Sequence, residues 1–80
     1  MTTPAQIRAA RALLGLSQPE IADMTGFSTM TIKRAEGTGQ PPAPASTLAA
    51  IRTALENAGV IFQDENGEGA GVRLRKKHVR

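Results

Sequence analysis

The segment from Ser17 to Gly37 constrains the fold most strongly, because its capping and turn residues divide it into two short helices. Ser17 and Glu20 form an S-x-x-E pattern, in which the hydroxyl and the carboxylate each accept a hydrogen bond from a free backbone N–H group at a helix start. Gly26 supplies the positive φ angle that a tight turn requires. The segment is therefore predicted to fold as a helix, a turn and a second helix that stops at Gly37.

The apolar residues of this segment share an inner face, and they are Ile21, Ala22, Phe27, Ile32 and Ala35. Ser28 is placed to cap the second helix, which is predicted over residues 28–36. The side of that helix away from the apolar residues then faces outward. It carries Thr29, Met30, Lys33 and Arg34.

At these positions the chain resembles the phage repressor and Cro-like helix-turn-helix family, also called the xenobiotic-response-element type. The matching features are Gln18, Ile21-Ala22, Gly26-Phe27-Ser28, Ile32 and Glu36-Gly37. With the flanking helices the resemblance extends over roughly residues 5 to 58. Two positions depart from the family pattern, since Thr25 stands where an apolar residue is usual and Ala35 is smaller than the common residue. The resemblance implies a mainly α, compact four-helix domain that binds double-stranded DNA as a bacterial or phage transcriptional regulator, chiefly a repressor.

The resemblance also implies roles for individual residues. A helix-turn-helix protein places the second helix of the motif in the major groove, so the candidate base readers are Ser28, Thr29, Met30 and Arg34. Arg34 would bond guanine through two hydrogen bonds, with a phosphate contact or a solvated side chain as the alternatives. The candidate phosphate contacts are Gln18, Thr31, Lys33, Thr38 and Gln40. In the family, a basic residue at the position of Arg11 pairs with the acid at the position of Glu36, which implies a structural ion pair.

The rest of the chain is divided by proline, glycine and apolar spacing. The first helix is predicted from about Pro4 to Leu14, with a cap residue, a proline and a glutamine at its start. Residues 38–45, TGQPPAPA, form a stiff loop, because consecutive prolines lack the N–H donor of a helix. A fourth helix is predicted over residues 46–58, and residues 60–63 and 71–75 favour a short β-hairpin. The chain then consists of a DNA-binding domain at 1–59, a hairpin at 60–75 and a basic tail at 76–80.

The C-terminal part has two alternative roles. Two isolated strands are marginally stable, so the hairpin must pack on the helices or pair with another chain, using Val60, Phe62, Val72 and Leu74. Edge pairing would give a homodimer. The alternative is an antitoxin, in which this segment binds a protein partner while the helices bind the operator of the same gene pair. Basic residues of this part are candidates for non-specific contact with DNA, unless they form a solvated end, and they are Arg73, Arg75, Lys76, Lys77 and Arg80.

Composition argues against several other classes of protein. The chain has no cysteine, so it has no disulfide framework or thiolate site, and no apolar run approaches the roughly 20 residues that cross a bilayer. These features favour a cytoplasmic protein. It has only two Phe and no Trp or Tyr, which is unlike a single-strand binder that stacks bases on aromatic rings. His78 is the sole histidine and has no metal-ligand neighbours, so no metal, cofactor or catalytic group is expected.

Overall fold

The computed structural model describes residues 1–76. This range contains the helices α1 (Pro4–Leu14), α2 (Gln18–Thr25), α3 (Thr29–Ala35) and α4 (Ala45–Asn57), then the strands β1 (Val60–Gln63) and β2 (Gly71–Leu74). The strands pair antiparallel, with Val60 opposite Leu74 and Gln63 opposite Gly71. The predicted mainly α fold with four helices and a C-terminal hairpin is confirmed. The tail residues Lys77, His78 and Arg80 lie outside the described range.

The helix starts follow from local hydrogen bonding. α1 and α2 each begin with a reciprocal capping box, which joins Thr3 to Gln6 and Ser17 to Glu20. The start of α4 differs, because Pro44 precedes it in the extended conformation and makes no side-chain capping bond. α4 begins and ends one residue earlier than the predicted span of 46–58.

A polar residue holds the turn between α2 and α3. The Thr25 hydroxyl donates to the carbonyl of Ile21 at 2.8 Å and accepts from the N–H of Phe27 at 3.3 Å. Gly26 has a φ angle of +79°, and its N–H donates to the carbonyl of Ala22 at 2.9 Å. The Thr25 hydroxyl therefore joins the last turn of α2 to the residue that follows Gly26.

The core lies between the four helices and the hairpin. Its buried apolar residues are Ile7, Ala10, Ile21, Ala22, Ile32, Ala35, Ile51, Leu55, Val60 and Phe62. Phe27, Leu48 and Val72 are partly buried against it. Leu74, the last residue of β2, is 45% exposed. The hairpin thus packs on the helices through three of the four apolar residues named for it.

Candidate nucleic-acid interface

A buried ion pair connects the end of α3 to α1. The carboxylate of Glu36, only 2% exposed, accepts hydrogen bonds from Nε and Nη2 of Arg11 at 2.7 and 3.0 Å. The hydrogen bond to Glu36 raises the pKa of the Arg11 guanidinium. Gln18 adds α2 to this cluster, because its Nε2 donates to Oε1 of Glu36 at 3.1 Å. The structure therefore brings Arg11 and Glu36 together, and the side chain of Gln18 points to this pair.

Arg8 makes a second link to α3 that sequence reasoning missed. Its guanidinium Nη1 donates to the backbone carbonyl of Glu36, at the C-terminal end of the helix. A cation at this end also complements the partial negative charge of the helix dipole. The only signal in the sequence is the three-residue spacing of Arg8 and Arg11, which places both on one face of α1. Two arginines of α1 thus hold α3 in place.

The outer face of α3 carries most of the predicted base readers. Met30 is 54% exposed, and Lys33 is exposed beside it. Thr29 and Thr31 are half-buried. The Ser28 hydroxyl accepts from the N–H of Thr31 at 3.1 Å, and the two hydroxyl oxygens lie 3.0 Å apart. This face offers hydroxyl groups, a thioether and a basic group, and the sequence has no acidic residue from 28 to 35.

Arg34 lies at the opposite end of α3, against the proline-rich loop. Its Cγ is 3.9 Å from the position that a Cβ atom would take on Gly39. Its Nε is buried and is the one buried side-chain nitrogen or oxygen in residues 1–76 without a hydrogen-bond partner. A cavity of about 230 Å³ adjoins it, with Gln40, Pro42 and Leu48 in the lining.

The remaining candidates are two phosphate contacts in this loop and the candidates for non-specific contact with DNA in the hairpin and the basic tail. Thr38 and Gln40 are exposed, and the N–H of Thr38 donates to the carbonyl of Lys33 at 2.9 Å. The basic residues Arg73, Arg75 and Lys76 are exposed as well. Lys77 and Arg80, assigned with them from the sequence, are beyond the residues that the structure describes.

A buried glutamine fastens the hairpin to α1. Gln6 is 3% exposed, and its Nε2 donates to the carbonyls of Gln63 and Gly71 at 3.0 Å each. Its Oε1 accepts from the N–H of Thr3 at 2.9 Å, so one side chain both caps the helix and joins the two strands. Sequence reasoning identified only the cap, although the position of Gln6 four residues before buried Ala10 was a signal that the side chain faces inward.

Arg52 makes the corresponding connection on the side of α4. Its Nε and Nη1 donate to Glu56 and Asp64 at 3.1 and 2.8 Å, and its guanidinium carbon lies 4.9 Å from the centre of the Phe62 ring. The hydrogen bond from Arg52 lowers the pKa of the Asp64 carboxyl. Sequence reasoning missed this cluster, although Arg52 and Glu56 have the i,i+4 spacing of a helical ion pair; Asp64 and Phe62 lie beyond the helix and gave no such signal.

Comparison with known proteins adds no family to these observations. No protein-family model matches the chain, and no curated protein matches it. Among the described residues, no group of His, Cys, Asp or Glu side chains is arranged to hold a metal ion. Within the same range, each helix is too short or too polar to span a membrane.

Proposed function

We propose that the protein is a sequence-specific double-stranded DNA-binding transcriptional regulator, acting as a repressor, that reads the major groove with α3. The observation that carries this proposal is that α3 buries one side in the core and exposes the other side. Its inner residues Ile32 and Ala35 are completely buried, whereas Met30 and Lys33 on its outer side are exposed. The major groove of B-DNA is about 12 Å wide and admits one α-helix.

The anchoring of α3 supports recognition of a specific sequence. Arg8 and Arg11 bond the end of the helix through the carbonyl and the carboxylate of Glu36. A helix held in its binding orientation loses little conformational freedom when it enters the groove, which favours both affinity and discrimination. Bound near a promoter, the protein would act chiefly by excluding RNA polymerase.

The first turn of α3 is the proposed base-reading element. The N-terminal residues of a recognition helix contact base edges, and in this chain they are Thr29 and Met30. The methyl groups of both side chains suit the methyl group of thymine. Lys33 lies further along and suits a phosphate. Arg34 is a candidate guanine reader on sequence grounds, but it lies in the last turn of α3 and not in the first.

The hairpin is the proposed dimer contact. A two-stranded sheet has unpaired outer edges, and pairing of such edges across a two-fold axis joins two copies of a chain. Two recognition helices would then lie about 34–36 Å apart, one turn of the duplex. Sedimentation at micromolar concentration should show a dimer, at least when DNA is present. A monomer in both conditions would contradict the dimer, and a second polypeptide co-purified from the native host would favour the antitoxin alternative.

Selection of bound duplexes from a random pool, at two salt concentrations, tests the proposed function. We expect one enriched, roughly palindromic motif. Met30→Ala should reduce the preference at one position of each half-site about fivefold, close to the lower limit for a mismatched base pair. Met24→Ala is the matched control, because Met24 lies on α2 and is 44% exposed, against 54% for Met30. A pool without an enriched motif would refute the proposal, as would equal effects of the two substitutions.

A further inference from the structure

Arg34 differs from the other predicted base readers in its surroundings. Its Nε is buried and has no acceptor within residues 1–76. Arg34 as a whole is only half-buried, so the accessible part of its guanidinium can donate to an oxygen atom of a ligand. The adjoining cavity, of about 230 Å³, has Arg34 as the one charged residue of its lining in the described part of the chain. A negatively charged group therefore meets no opposing carboxylate there.

The position of Arg34 along α3 favours the DNA backbone over the bases. Arg34 belongs to the last turn of the helix, whereas the first turn of a recognition helix contacts base edges. Its side chain lies against Gly39, which keeps the guanidinium beside the loop that follows α3. A loop next to a helix in the major groove lies over the wall of that groove, where the phosphates are.

The composition of the loop at residues 38–45 also favours a phosphate contact for Arg34. Residues 38–45 contain no basic side chain, so the loop itself supplies no positive charge to a phosphate. Gln40, which is exposed and also lines the cavity, offers an amide donor near Arg34. Guanidinium binds phosphate through paired N–H groups, and Arg34 is the one basic residue of the cavity lining in the described part of the chain.

We propose that Arg34 and Gln40 together bind one phosphate group of the DNA backbone at the mouth of this cavity, and that Arg34 does not read a guanine. The proposal rests on the proposed DNA-binding function. It leaves sequence discrimination to the first turn of α3. It also gives the loop, which has no basic residue, one contact with the duplex.

The test compares Arg34→Ala with wild-type protein on the selected duplex and on a scrambled duplex, over a range of potassium chloride concentrations. Arg34→Ala should weaken binding to both duplexes by the same factor, about tenfold at low salt. The slope of log K against log salt concentration should fall by about 0.9, the value for one lost phosphate contact. Arg34→Lys should restore the slope and only part of the affinity, because lysine lacks the paired donors. Met24→Ala removes an exposed side chain of α2 that has no proposed DNA contact, and it serves as the control that should leave the affinity and the slope unchanged.

A second measurement identifies the phosphate. Single phosphates of the selected duplex are replaced in turn by uncharged methylphosphonates. One replacement should weaken binding by wild-type protein and leave binding by Arg34→Ala unchanged. If Arg34→Ala does not fold, the same scan with Gln40→Ala, an exposed loop position, should show reduced sensitivity at that phosphate.

The outcomes separate the two proposals. A wild-type protein that selects no sequence refutes the proposed function. A wild-type protein that selects a sequence, with an Arg34→Ala variant that loses preference for a guanine, refutes only the phosphate assignment. An unchanged salt slope in Arg34→Ala, or the absence of any phosphate coupled to Arg34 and Gln40, refutes it as well.

Discussion

Replacing Glu36 by glutamine should destabilise the domain by about 3 kcal/mol. The carboxylate is 2% exposed and accepts hydrogen bonds from Arg11 and Gln18, so the substitution removes the charge and disrupts the paired geometry. Breaking a buried ion pair from one side costs roughly 3–5 kcal/mol. The lower limit applies because the Arg11 side chain is 26% exposed and its charge can reach water.

This loss is large for a domain of 80 residues, whose free energy of unfolding is expected to be about 4–12 kcal/mol. It corresponds to a decrease in Tm of about 12–24 °C. Urea and thermal unfolding should be followed by far-ultraviolet circular dichroism, because the chain has no Trp or Tyr. The loss of stability in Glu36→Gln should depend little on salt concentration, because salt screens buried ion pairs only weakly.

Glu56→Gln is the matched control for this substitution. Glu56 pairs with Arg52 at 3.1 Å but is 38% exposed, and Arg52 keeps its bond to Asp64. The expected loss is below about 1 kcal/mol, as for exposed ion pairs. If Glu36→Gln lost no more stability than Glu56→Gln, the pair between Arg11 and Glu36 would not be what holds α3 on α1.

Three further substitutions test other parts of the fold. Gln6→Leu leaves two carbonyls of the hairpin without their donor and should cost about 2–4 kcal/mol, with faster amide exchange in both strands, whereas Gln40→Leu on the exposed loop should leave that exchange unchanged. The bond from Arg52 lowers the pKa of Asp64, so this bond stabilises the fold above about pH 4 and is lost as pH falls through the folded-state pKa. The Asp64→Asn variant has no such carboxylate to protonate. Its urea midpoint should therefore fall less than that of the wild type between neutral pH and about pH 2. Gly26→Ala should cost about 1–2 kcal/mol in urea unfolding from its φ of +79° alone, because no atom lies within 4 Å of the added Cβ; a loss of more than about 3 kcal/mol would contradict this.

Much of the fold could be predicted because its signals are local. The capping boxes that start α1 and α2 each need residues only three apart, and Gly26 needs only its own backbone angle. The inner positions Ile32 and Ala35 follow from helical spacing within one short segment. Such features depend only on neighbouring residues, and the structure has each of them at the predicted position.

The parts that escaped prediction depend on residues far apart in the chain. Arg8 reaches a carbonyl 28 positions later, and Arg52 gathers partners from the first residues, α4 and the start of the hairpin loop. The surroundings of Arg34 depend on how the proline-rich loop returns across α3. Helical i,i+4 spacing accounts for Arg52 with Glu56, but no spacing rule predicts the other contacts, because the connecting loops decide which side chains meet.

The contacts of Gln6 have a consequence for the order in which the chain folds. Its partners lie 57 and 65 positions later in the sequence, so a ribosome must add all of the residues between before the amide of Gln6 is satisfied. At about 5–20 residues per second, that interval is roughly 3–13 s. During that interval the side-chain amide of Gln6 has no strand carbonyl to bond. Docking of the hairpin on α1 is therefore expected to be the last step in the assembly of this domain during its synthesis.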